Sequence, residues 1–128
     1  MNIGEVAKLT GLSAKSIRLY EEKGIISSPA RSDAGYREYS ATHIQELNLV
    51  SRAKSAGFSL QECREFVQLA GNPNRKSSEV KSKTLDKLHE VEQKIAHLME
   101  IKQQLESWAS ACPGDAKSRC PIIDELIK

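Results

Sequence analysis

The stretch ACPGDAKSRCPII holds two of the chain's three cysteines, Cys112 and Cys120, each followed by a proline. Thiolates are soft ligands that select soft cations, and Cu(I), which accepts two sulfurs in line, is satisfied by such a pair. Zinc prefers four ligands in a tetrahedron, and the pair supplies half of them. Asp115, or His89 and His97 farther back in the chain, are the candidates for the remainder, but the spacing is not that of a zinc site, and both histidines read as exposed residues of a long helix. Two other readings stay open on chemistry alone: a disulfide closing the loop, or two inert thiols. A reducing compartment disfavours the first, and the polar loop residues Asp115, Lys117, Ser118 and Arg119 disfavour deep burial. Cys63 is a different case. It shares the apolar side of its helix with Leu60, Phe66 and Val67, which makes it core filler.

Composition narrows the setting. A chain of 128 residues, 39% hydrophobic and 28% charged but only 5% aromatic, fits a small domain with a long appendage, and part of its buried surface has to come from a second chain. No apolar run approaches the roughly 20 residues of a membrane helix, and the opening MNIGEVAKLTG lacks the basic and apolar regions of a signal peptide, so the expected location is the cytoplasm, with no membrane partner. A net charge of +2 means that any nucleic-acid footprint is local. No nucleophile, base and orienting group converge, and no Gly-rich phosphate loop is present, so an enzyme is not expected.

The elements that position the cysteines are mainly helical. Asn2 caps a short helix that ends at Thr10-Gly11, and Ser13 caps a second, SAKSIRLYEEKG, with Ile17 and Tyr20 on one side and Lys15 and Arg18 exposed near its start. Two short helices joined by a Gly turn form a helix-turn-helix candidate. IISSPARSDAGYREYS reads as a β-hairpin, or wing, and is followed by a helix from Ser40 to Gly57. SLQE at Ser59–Glu62 is a capping box that opens another helix. From about Glu79 to Ala111 the pattern is continuous. Leu88, Val91, Ile95, Leu98, Leu105, Ala109 and Cys112 share one heptad seam that Lys102 interrupts. A helix of that length, roughly 50 Å at the standard rise, needs a partner, and a homodimer is expected. Pro113-Gly114 ends it, and Pro121 starts a last short helix. The expected organisation is a winged helix-turn-helix domain over 1–70, a hinge over 71–78, a dimerisation helix in an antiparallel coiled coil over 79–111, and a metal-binding loop with a short helix over 112–128.

The strings AKLTGLSAKSIRLYEEKG and GYREY, the long helix and the ending ACPG…CPII together resemble the MerR family of transcriptional regulators, most closely its copper-responsive CueR type. The resemblance covers essentially the whole chain. Its N-terminal part identifies the family, and the cysteine loop carries the effector. On a recognition helix in the major groove, Lys15 and Arg18 donate to guanine edges and Ser16 and Tyr20 reach phosphates. The wing supplies Arg31, Tyr36, Arg37 and Tyr39, residue types that grip phosphate and sugar. Glu21 and Glu22 read as surface or helix-packing residues.

The resemblance further implies a homodimer on double-stranded promoter DNA whose spacer is too long. The dimer activates by bending and untwisting that spacer so that RNA polymerase reads the altered shape. It implies Cu(I) as effector, with Ag(I) and Au(I) as alternatives, held by Cys112 and Cys120. Two thiolates around a +1 ion leave one net negative charge next to the helix starting at Pro121. Divalent-metal sensors of the family tend to carry a further cysteine at the start of the dimerisation helix, where this chain has Ser77, itself a natural N-cap with Ser78. Ile122, Ile123 and Leu126 are candidates to pass the metal signal on by docking. The competing readings are a MerR-type sensor of a divalent metal and, in a different class, a cytoplasmic copper-carrying thiol protein, which has no use for a wing. An iron-sulfur sensor wants four clustered cysteines, and a thiol oxidoreductase wants C-x-x-C.

Overall fold

The computed structural model describes residues 1–128 as six α-helices and one two-stranded sheet, and the chain divides into two compact units, 1–84 and 85–128. The division falls inside the long helix.

In the first unit local chemistry sets nearly every boundary. Helix α1 (Ile3–Thr10) starts where the Asn2 side chain accepts from the Glu5 N–H at 2.9 Å, and stops at Gly11, whose φ of 73° is a left-handed conformation that costs glycine little. Helix α2 (Ala14–Glu22) starts two residues after Leu12, with the Ser13 hydroxyl accepting from the Ser16 N–H at 3.1 Å. This tight connection makes the helix-turn-helix. Strands β1 (Ala30–Arg31) and β2 (Arg37–Glu38) pair antiparallel, Ala30 opposite Glu38 and Arg31 opposite Arg37, and form the wing. Helix α3 (Ala41–Ser55) follows. The capping box of helix α4 (Leu60–Ala70) forms as the sequence indicates: the Glu62 carboxylate accepts from the Ser59 N–H at 2.9 Å, and the Ser59 hydroxyl accepts from the Glu62 N–H at 3.2 Å.

Apolar residues from the four helices and from the segments that flank the wing meet in one core. Val6, Ile17, Leu47, Val50 and Cys63 are fully buried, with Tyr20, Ile25, Ile26 and Tyr39 nearly so. Each aliphatic side chain buried in this way stabilises the unit by about 1.5–3 kcal/mol.

Helix α5 (Ser77–Ala111) begins earlier than the proposed hinge over 71–78 allows. Asn72 forms a tight turn, its side chain accepting from the Asn74 N–H at 2.9 Å and its carbonyl from the Arg75 N–H at 3.2 Å. The Lys76 carbonyl then accepts from the Glu79 N–H, so Ser77 occupies the first helical position instead of standing before the helix. In the second unit the seam residues Leu88, Ile95, Leu98 and Leu105 are each more than half exposed, at 51%, 52%, 62% and 55%. Leu85, Met99 and Ile101 widen the stripe. Helix α6 (Pro121–Leu126) has Cys120 as N-cap and Pro121 at its first position, as the sequence indicates. No helix is long and apolar enough to cross a membrane.

Candidate metal centre and nucleic-acid interface

Cys112 is the first residue beyond α5, held by its N–H on the Trp108 carbonyl at 3.1 Å, and Cys120 caps α6. Between them Gly114 reverses the chain at φ 64°, and the Asp115 side chain accepts from the Lys117 N–H at 2.9 Å. The loop thereby brings the two Sγ atoms to 3.8 Å, both half-buried and both free thiols. A disulfide requires a separation near 2.05 Å; two metal–sulfur bonds of about 2.3 Å span this gap at an angle of about 110°, and a linear pair requires the sulfurs to open to about 4.6 Å.

The donor chemistry fits a small soft cation. No group of three or more His, Cys, Asp or Glu residues gathers in the chain, which itself sets two sulfurs at this loop. His89 is exposed, and His97 lies 3.8 Å from Glu100 on the open face of α5. The backbone N–H of Ile123 pulls the Cys120 thiol below the ordinary thiol range, helped by Ile122 and by the Cys112 side chain and opposed by burial and Asp124. Cys63 is the opposite case: burial pushes its thiol up, and its Sγ lies 3.9 Å from the Val50 carbonyl.

On the first unit, Lys15 and Arg18 stand exposed on α2, and Ser16 is half-buried with its hydroxyl 3.0 Å from that of Ser13. On the wing, Arg31 is exposed and donates to the Gly35 carbonyl at 3.2 Å, and Tyr36 is 74% exposed. Arg37 is half-buried, its Nε donating to the Glu21 carboxylate at 2.8 Å.

Two of the residues expected to reach phosphates are core residues instead. Tyr20 is 6% exposed, because it lies three residues after Ile17 on the inward face of α2. Tyr39 is 3% exposed: two residues beyond Arg37 it points inward, donates to Glu21 at 3.4 Å, and has its hydroxyl pKa raised by burial and by the Glu21 charge. Glu21 is therefore more than a surface residue, since it joins α2 to the wing through both Arg37 and Tyr39. His43, 7% exposed at the start of α3, is a residue that the sequence pattern does not single out. A histidine three residues after a serine cap does not look like a capping box, although its ring accepts from the Ser40 N–H at 3.0 Å as a glutamate would.

A Gly-turned pair of helices carrying exposed cations, with an Arg/Tyr wing beside them, defines a winged helix-turn-helix DNA-binding protein, and the second unit adds a two-thiol loop. Residues 1–70 match the MerR HTH family regulatory protein signature. The HTH-type transcriptional regulator CueR of Vibrio cholerae is 52% identical over 126 residues, covering 98% of this chain and 91% of that one. Its namesake from Salmonella typhimurium is 49% identical over the same length, with the same coverage. Among solved structures, the regulator PbrR691 of Ralstonia metallidurans CH34 in complex with lead(II) superposes with a TM-score of 0.88 at 27% identity, covering 98% of both chains. MerR of Bacillus megaterium MB1 in complex with mercury(II) gives 0.78 at 27% identity over the whole of both. The chain belongs to the MerR family of transcriptional regulators, and within it to the CueR type.

Proposed function

We propose that this chain works in the cytoplasm as a Cu(I) sensor that also accepts Ag(I) and Au(I), and that it binds promoter DNA as a homodimer and activates genes of copper efflux and detoxification. The observation that carries the reading is the thiol pair: two half-buried sulfurs 3.8 Å apart, one drawn toward its thiolate, with no third ligand from the same chain gathered beside them. Cys112 and Cys120 hold the metal, and the backbone N–H groups at the start of α6 offset the negative charge of two thiolates. The exposed seam of α5 supplies the dimer contact.

DNA is read by Lys15 and Arg18 on α2 through base edges, with Ser16 on phosphate, and the wing's Arg31, Tyr36 and Arg37 fix the register on phosphate and sugar. Two such modules on a two-fold axis require a two-fold operator. The metal selects between two dimer conformations by its differential affinity for them, and RNA polymerase on the same promoter reads the resulting change in DNA shape. Ile123 and Leu126, 54% and 58% exposed on α6, are available with Ile122 to transmit that choice by docking.

The lead(II) and mercury(II) complexes of the two solved relatives favour a second reading, a sensor of a divalent metal. Ser77 weighs against it, because a hydroxyl at the start of α5 offers no soft third ligand. Loading the reduced dimer anaerobically with Cu(I) against a competing chelator separates the two. One Cu(I) per chain, unmoved by excess Zn(II) and lost in both Cys112→Ser and Cys120→Ser, is the expected result. Displacement by zinc would overturn the copper reading and leave the DNA-binding half standing.

A further inference from the structure

The wing has a sheet of only two residue pairs, Ala30 with Glu38 and Arg31 with Arg37. A two-stranded hairpin is marginally stable in water at best, so its pose must be set by what holds its base. Ser27 precedes β1 and Ser40 follows β2, and both meet side chains from the first two turns of α3. His43 Nδ1 accepts from the Ser40 N–H at 3.0 Å and lies 2.9 Å from the Ser40 hydroxyl, while Nε2 lies 3.1 Å from the Ser27 carbonyl oxygen and 3.3 Å from its hydroxyl. Because Nδ1 faces a backbone donor, this network assigns the ring proton to Nε2, which donates to the Ser27 carbonyl. One turn farther on, Glu46 accepts from the Ser27 N–H at 3.0 Å and from its hydroxyl at 3.2 Å. The Tyr39 ring packs edge-on against His43, with centroids 5.5 Å apart.

We infer that His43 and Glu46 are positioning residues for DNA binding: together they fasten both ends of segment 27–40 to α3, so that α3, alongside the Glu21 tie from α2 to Arg37 and Tyr39, sets the angle at which Arg31, Tyr36 and Arg37 are presented. The inference rests on the reading of the first unit as a DNA-binding module. His43 is too buried to touch DNA, and it acts through the wing. A wing released at its base samples other poses, and the cost of ordering it is then met at binding. The loss therefore falls on the wing's grip and spares that of α2.

A two-fold symmetric duplex selected by the wild-type homodimer from random sequence serves as probe. Affinity is measured against salt, and the bound complex is footprinted with hydroxyl radicals, for wild type, His43→Ala, His43→Gln and Glu46→Ala. His43→Ala should bind roughly ten-fold more weakly, a typical loss when a few side chains must be reordered at binding. It should lose the outer protection given by the wing while keeping that given by α2. Its salt slope should drop by about 0.9 for each phosphate the wing no longer neutralises, or roughly two for each wing if both arginines let go. His43→Gln should recover most of this, since a glutamine at the third helical position accepts the Ser40 N–H. Where His43→Ala fails to fold, Glu46→Ala carries the same expectation. A folded His43→Ala or Glu46→Ala with the wild-type slope and full footprint overturns the inference, and so does uniform loss of all protection that His43→Gln does not recover. A wild type that selects no duplex overturns the DNA-binding reading along with it.

Discussion

The two units of this chain solve the problem of burial in opposite ways. In the first, residues as far apart in sequence as Val6 and Cys63 close on one another and leave little of their side chains to water. In the second, a long helix carries leucines and isoleucines that are more than half exposed, and the short helix α6 exposes Ile123, Leu126 and Ile127 as well. One region is complete within a single chain, and the other is written for contacts that a single chain does not make. The proposed function would use that division, because a head that grips DNA would keep its shape while the part proposed to sense the metal chooses between two arrangements.

The sharpest way to break the comparison is to damage each region and see whether stability or association fails. Leu47→Ala removes a fully buried side chain where the first unit's helices meet and should cost about 3 kcal/mol, read as a lower midpoint in urea denaturation. Leu98→Glu, on a side chain already 62% exposed, should leave the fold of the single chain almost untouched. It should instead weaken the dimer by about 2 kcal/mol for each chain, the value of one leucine withdrawn from water, seen in sedimentation equilibrium as a shift toward monomer. A Leu98→Glu chain that stayed dimeric at wild-type affinity would mean that the seam is not the dimer contact.

The same contrast explains what is legible in the sequence. Caps and turns are local chemistry, and Asn2, Ser13, Ser59 with Glu62, and Pro121 each begin a helix where the residue type alone says they should. The heptad seam is equally local in pattern, since a long apolar stripe declares itself whether or not a partner is present. Sequence and structure part where a side chain has two plausible uses. Tyr20 and Tyr39 carry a hydroxyl suited to phosphate and a ring suited to a core, and burial wins because Tyr20 lies on the inward face of α2 and Tyr39, just after β2, points inward. His43, Glu21 and Glu46 act through partners 16 to 19 residues away, and such pairings leave no periodic trace. The helix start at Ser77 is hidden because the turn at Asn72 absorbs the reversal in fewer residues than the polar string GNPNRKSS suggests.

A smaller perturbation tests whether the first unit's stability is as local as its boundaries. Ser59→Ala deletes the oxygen that accepts from the Glu62 N–H and should cost about 1 kcal/mol in urea denaturation. Metal stoichiometry should be unchanged, because the thiol pair belongs to the other unit. A change in stoichiometry would mean that the two regions are coupled more tightly than the division into two units implies.

The finest test uses the chain's own cysteines as reporters of the two environments. Cys63 is sealed in the first unit, and burial holds its thiol above the ordinary range, while the N–H of Ile123 at the start of α6 holds the Cys120 thiol below it. The signs are opposite. Folding favours the ionised form of Cys120, so its contribution to stability is complete above the ordinary thiol pKa and is lost as pH falls through the depressed value. Folding favours the neutral form of Cys63, whose contribution is complete below the ordinary pKa and is lost as pH rises through the raised one. In reduced, metal-free protein near neutral pH, iodoacetamide should therefore label Cys120 a few times faster than a free thiol in an unstructured peptide. It should leave Cys63 unlabelled until denaturant is added, with both sites resolved by peptide mass mapping. Replacing Ile123 by proline removes the backbone N–H that leads the depression, and it should bring Cys120 labelling back toward the peptide rate. If that variant labelled as fast as wild type, the amide at the start of α6 would not be what draws the sulfur toward its thiolate, and the charge argument for a monovalent ion at this loop would lose its support.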